Sequence, residues 1–179
     1  MNKDELGKII APGVIRFERR LPKPIETVWA YLTDPEKRGQ WLAKGKMDLR
    51  VGGEVELEFL HADLSNEWVA TPDRFKHMEK GHRFSGTVTR CEIPFVLAFT
   101  WQGNSEVTFE LMEEKDCIRL VLTHRKLGED PRTMISVGSG WHTHLHILVD
   151  RMLHREPPSF WTTYVQMEAQ YENVINTSI

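Results

Sequence analysis

The chain has little of several things, and each shortage removes a class of protein. Of its 179 residues only 2 are cysteines, Cys91 and Cys117. Two thiols build neither a disulfide framework nor a zinc cluster, and reduced thiols fit a cytoplasmic protein. No segment approaches the roughly 18 consecutive apolar residues that a membrane-spanning helix requires. The first thirty residues lack the apolar run of a secretion signal. Positive charge is not in excess: 23 Lys and Arg stand against 26 Asp and Glu, for a net charge of −3. A nucleic-acid partner is therefore not expected. Glycine-rich phosphate loops, a G-x-S-x-G elbow and an H-E-x-x-H helix are all missing.

What is present is patterned. Residues 14–21 alternate, with Ile15, Phe17 and Leu21 on one parity, and predict a strand. Ile25, Val28, Trp29 and Leu32 recur at helical spacing after Pro24. Asp34 and Pro35 then cap and open a second short helix, with Trp41 and Leu42 expected as its apolar side. Strands follow at 54–59, 84–91, 95–101, 106–111 and 117–124, joined by short turns. Glu54, Glu56 and Glu58 form a wet row opposite Val55, Leu57 and Phe59. Residues 61–82 read as a long polar loop with a short element near Arg74–Met78. Loops of that length in a compact domain are commonly functional or mobile. Asp130-Pro131 starts a long helix carrying Met134, Val137, Trp141, Leu145, Leu148 and Met152 on one stripe. Gly138 and Gly140 weaken it by roughly 1 kcal/mol each relative to Ala, which suggests close approach of a neighbouring backbone. After Pro157-Pro158 a last helix shows Phe160, Tyr164, Met167, Tyr171 and Val174 on one face. That face must be covered, either by this domain or by a second copy across a two-fold axis, as a homodimer.

The order of strand, two short helices, six-strand meander and long helix is that of a helix-grip protein. It resembles the START/Bet v 1-like (SRPBCC) superfamily, and within it the Aha1-domain group of Hsp90-ATPase-activator homologues. The resemblance covers about residues 14–155. It rests on P-x-x-x-V-W at Pro24–Trp29, L-T-D-P at Leu32–Pro35 followed by Trp41-Leu42, and G-x-V at Gly86–Val88. It rests further on P-x-x-L-x-x-T-W at Pro94–Trp101, and on Gly140-Trp141 with Leu145. The implied fold class is α+β, a curved antiparallel sheet wrapped around a long C-terminal helix. The expected division is a tail at 1–13, the helix-grip domain at 14–155 and a helical extension at 156–179.

This architecture implies a cavity between sheet and long helix, and the aromatic residues would line it. Trp41, Phe59, Phe99, Trp101, Phe109 and Trp141 fall on inward parities, with Leu145 and Leu148 beside them. Either these rings pack solid or they leave room for a ligand. His142 and His144 flank the apolar stripe and offer polar contacts to a ligand, with His146 further out. No third ligand accompanies them at metal-binding spacing, so no metal is expected. Arg19 shares the inward parity of Ile15 and Phe17. Its charge is either an anchor at the cavity floor or snorkels to an edge. The expected function is binding of a small apolar or aromatic molecule without a cofactor. Two alternatives stand beside it: a polyketide cyclase/aromatase-like enzyme, and a module that contacts Hsp90 through its outer surface.

Overall fold

A computed structural model describes residues 6–176. Residues 1–5 of the expected tail and 177–179 of the expected extension lie outside them.

Alternation builds the sheet. Its strands are β1 (Lys8–Ala11), β2 (Val14–Leu21), β3 (Glu54–Phe59), β4 (His82–Glu92), β5 (Val96–Thr100), β6 (Glu106–Glu113) and β7 (Ile118–Arg125). They pair antiparallel throughout, in the order β1-β2-β7-β6-β5-β4-β3. β2 and the last strand, β7, are thus neighbours in the sheet although some hundred residues separate them. Ile15, Phe17 and Leu21 are buried on β2, as are Ile118, Leu120 and Leu122 on β7. Among the described residues five strands follow the two short helices, at the five stretches marked by alternation, so the six-strand count of the meander is one too many; residues 61–81 form 3-10 turns and loop, as expected there. One strand was not expected at all: Lys8–Ala11 folds back on β2 across a turn in which Gly13 has φ +65°. Cys117 falls just before β7, and Cys91 lies in β4; both thiols are free.

The helices are α1 (Ile25–Thr33), α2 (Pro35–Arg38), α3 (Pro131–Met152) and α4 (Phe160–Asn176). Asp34 caps α2 by accepting from the Lys37 N–H at 2.9 Å, and Asp130 caps α3 by accepting from the Thr133 N–H at 3.2 Å. α2 is shorter than expected and stops before Trp41 and Leu42, because Arg38 turns inward. The Arg38 guanidinium is buried and donates to the carbonyls of Thr33, Ala43 and Gly45. Three fixed acceptors match its planar fork and tie residues 43–45 to the end of α1. Trp41 is buried behind this loop, its indole N–H donating to Tyr31 O at 2.8 Å.

α3 lies across the curved sheet in the helix-grip manner. Trp141 meets Trp101 at 5.0 Å and Phe109 at 5.9 Å between ring centres, and Leu145 and Leu148 are fully buried. The opposite side of α3 is not open to water, because α4 packs along it. Tyr164 Oη and Ser136 Oγ are 3.3 Å apart, and the Tyr171 ring sits against Gly138. Phe160, Tyr164, Met167 and Tyr171 are buried; Val174 is exposed and Ile175 takes the inward place. α3 is consequently buried nearly all round, which its single stripe did not foretell.

Candidate functional site

Between α3, α4 and the sheet edge lies a cleft of about 200 Å³. The sheet contributes Phe59, Phe84 and Trp101, α3 contributes Gly140 and Trp141, and α4 contributes Phe160, Trp161 and Tyr164. The 61–81 segment folds over the opening as two 3-10 turns, His61–Leu64 and Asp73–Met78, and adds His61, Phe75 and Met78. The rings brace one another. Phe59 stacks on Phe84 at 5.6 Å, and Phe75 stacks on Trp161 at 4.9 Å. Edge-to-face and offset contacts of this kind hold a shape that flexible aliphatic chains would not. Among the described residues no Lys, Arg, Asp or Glu lines the cleft. A larger depression of about 450 Å³ lies beyond Leu42, Phe59 and His82, but Lys44, Glu58, Asp63, Lys80 and Arg83 make it a charged, solvated groove. The ring-walled cleft is the better-built site.

Gly140 gives the cleft its room. A methyl group added there would meet nothing within 4 Å. No backbone approaches, contrary to the expectation that both helix glycines admit a neighbouring chain. At Gly138 the neighbour is the Tyr171 ring, 3.0 Å from an added Cβ. A glycine inside a helix weakens it by roughly 1 kcal/mol, and at Gly140 no packing contact accounts for that loss.

Histidines form the polar end of the cleft. His61 stacks on Phe160 with ring centres 4.0 Å apart, and its ring centre is 5.7 Å from that of His144 and 5.8 Å from that of His82. His82 in turn stacks on Phe59 at 4.7 Å. Burial pushes His61 down to about 3, with help from the neighbouring His144 and His82, and pushes His144 down to about 4. His82 is lowered as well, mainly by burial. All are neutral imidazoles near pH 7, because nothing nearby compensates a buried cation. His144 is 2.7 Å from Trp41 O through Nδ1. A carbonyl only accepts, so Nδ1 carries the proton and Nε2 is left with its lone pair. Nδ1 of His61 and Nδ1 of His82 are buried without a hydrogen-bond partner. His124, also in the wall, has both nitrogens occupied by Trp141 Nε1 and Ser105 Oγ. Among the described residues no group of three or more His, Cys, Asp or Glu side chains is placed to hold a metal ion.

The family model for activator of Hsp90 ATPase homolog 1-like protein matches residues 22–152. The chain belongs to this family. Like its solved relatives, this AHSA1-like chain has the Bet v 1-like helix-grip fold. A Bordetella parapertussis protein solved by NMR is 44% identical, with 93% of this chain and 88% of that one covered and a TM-score of 0.79. CalU16 from Micromonospora echinospora is 25% identical, with 90% and 88% covered and a TM-score of 0.65. An AHSA1-like protein from Aeromonas hydrophila is 24% identical, with 79% and 92% covered and a TM-score of 0.61, a likeness of fold alone. No curated protein matches the chain. No helix among the described residues is long and apolar enough to cross a membrane.

The residues singled out from the sequence divide into two groups. Phe59, Trp101 and Trp141 line the cleft. Trp41, Phe99 and Phe109 do not; they pack as a second layer, with Phe109 6.3 Å from Trp41 and Phe99 6.0 Å from Trp101. Leu145 and Leu148 are solid core. His142 and Arg19 are on the far side of α3. There His142 Nδ1 is 3.4 Å from Tyr171 Oη, and burial together with Arg19 lowers its pKa to about 3. The reason is α4. It closes the side of α3 that bears His142 and turns it into a helix–helix interface. The same helix and the 61–81 segment supply lining residues that the sequence reading passed over: His61, Phe75, Met78, Phe160, Trp161 and Tyr164, with His82 and Phe84 from β4. A signal existed for some of them. Phe84 shares its parity with Gly86 and Val88, and the α4 stripe had to be covered by something.

Proposed function

We propose that this AHSA1-family protein binds a small, uncharged aromatic molecule in the cleft between α3, α4 and the sheet edge. The observation that carries this reading is Gly140: a helix-interior glycine facing open space within a wall of rings. Burial of apolar ligand surface supplies about 25 cal/mol per Å², and fixed ring walls reduce the entropy lost on binding. At about 200 Å³ the cleft is below the usual range for drug-sized ligands, so the ligand is one or two rings in size. The histidines favour holding over catalysis. A general base works best with a pKa near the operating pH, and burial holds His61 and His144 far below it.

Titration with 2-methoxynaphthalene, followed by ligand fluorescence, tests the reading. Saturable binding at one molecule per chain is expected, and Gly140→Leu should weaken it at least tenfold without lowering the melting temperature. Binding that is unsaturable, or that Gly140→Leu leaves unchanged, would return the function to the alternatives: an enzyme with another site, or an Hsp90 contact on the outer surface.

A further inference from the structure

We infer that the ligand of this cleft carries a hydroxyl or similar hydrogen-bond donor, and that His144 Nε2 is the atom that selects for it. The inference rests on the cleft being a ligand site and concerns which ring molecules it accepts. His144 is buried, and its Nδ1–H is committed to Trp41 O, so its only free function is to accept. Nε2 has no protein donor among the described residues and is not one of the fully enclosed atoms left unpartnered, so at this cleft-lining residue a ligand donor would take the place of water. Beside it, His61 is 93% buried by its 7% exposure, and its Nδ1 has no partner. A hydroxyl donates once and accepts as well, so one such group can serve His144 Nε2 and accept from a neighbouring imidazole. A carboxylate or ammonium suits the site less, because among the described residues no Lys, Arg, Asp or Glu lines it and ion burial without a partner is costly. The two stacked pairs, His61 on Phe160 and His82 on Phe59, fix these imidazole rings in the wall of the cleft. Sites built to pair a ligand hydroxyl discriminate strongly against analogues lacking it.

The test is a matched set of ligands: 2-naphthol, 2-methoxynaphthalene and naphthalene, titrated against the full chain. The ring is the same in all three, and only the first can donate. At least tenfold tighter binding of 2-naphthol is expected, with the other two close together. Because His144→Phe also strands Trp41 O, two measurements accompany it. His61→Phe removes a side chain whose Nδ1 has no partner to lose and should reduce the preference. In the wild type, the ¹⁵N resonance of His144 Nε2 should shift on adding 2-naphthol and stay in place with 2-methoxynaphthalene. Equal affinity for all three, or an unmoved Nε2 resonance with 2-naphthol bound, overturns the donor requirement and leaves the cleft a binding site. If none of the three binds, the cleft reading fails and the donor requirement falls with it.

Discussion

Trp141 Nε1 donates to His124 Nδ1 at 3.0 Å, and that bond decides where the proton of His124 resides. An indole only donates, so Nδ1 is the acceptor and Nε2 bears the hydrogen. Nε2 then donates to Ser105 Oγ at 2.8 Å, and Ser105 Oγ donates to Gln102 O at 2.7 Å. The line ties α3 to β7 and to the turn before β6, and it holds the Trp141 ring at the wall of the cleft. Trp141→Phe would keep an aromatic ring and strand a buried acceptor, at a cost of about 1–3 kcal/mol. His124→Phe in the same background should recover part of that loss. A double-mutant cycle in urea should give a coupling of about 0.5–3 kcal/mol; a value near zero would mean that the bond does not hold the ring.

Acid should destabilise the fold early. His61 and His142 have folded-state pKa values lowered to about 3, and His124 and His144 to about 4, from an ordinary 6.5. Between those values the unfolded chain binds protons that the folded chain refuses. Stability is therefore complete above about pH 6.5 and lost progressively as pH falls toward 4. Equilibrium unfolding between pH 7 and 4.5 should show an uptake on unfolding of more than one proton, beyond what carboxylates supply. His144→Gln should reduce it by about one. A stability that is flat from pH 6.5 to 5 would show that these rings are not buried as described.

Much of the fold was legible because it is periodic. Period-two alternation placed β2, β3, β6 and β7 nearly to the residue, and the stripe through Trp141, Leu145 and Leu148 placed α3. Asp34-Pro35 and Asp130-Pro131 marked helix starts through capping chemistry that is local. The cleft was less legible because it depends on packing across long separations. His61 reaches Phe160 across ninety-nine positions of chain, and neither residue has a periodic cue linking it to the other. Lys8–Ala11 is a short edge strand with both Ile9 and Ile10 exposed, so it lacks the alternation that betrays half-buried strands. His142 and His144 looked alike on the helical wheel. Only the position of α4 separates them, one into an interface and the other into the cleft wall.

The two α3 glycines should respond oppositely to alanine. At Gly140 the new methyl enters open space, so Gly140→Ala gains helix propensity, about 0.5–1 kcal/mol. At Gly138 it enters tight contact with the Tyr171 ring, and the propensity gain is offset or reversed by displacement of α4. Thermal melts of the two variants check this directly. Equal stabilisation at both positions would contradict the packing described for α3 against α4.

The central claim is that a small ring molecule enters the cleft, and the six tryptophans report on it. Their indole N–H resonances can be followed by ¹H–¹⁵N NMR during addition of 2-methoxynaphthalene. Trp101, Trp141 and Trp161 line the cleft, whereas Trp68 is 82% exposed on the outer loop. The signals of Trp101, Trp141 and Trp161 should move together along one saturable curve while that of Trp68 stays still. Movement of Trp68 alone, or no saturable movement at all, would contradict the account.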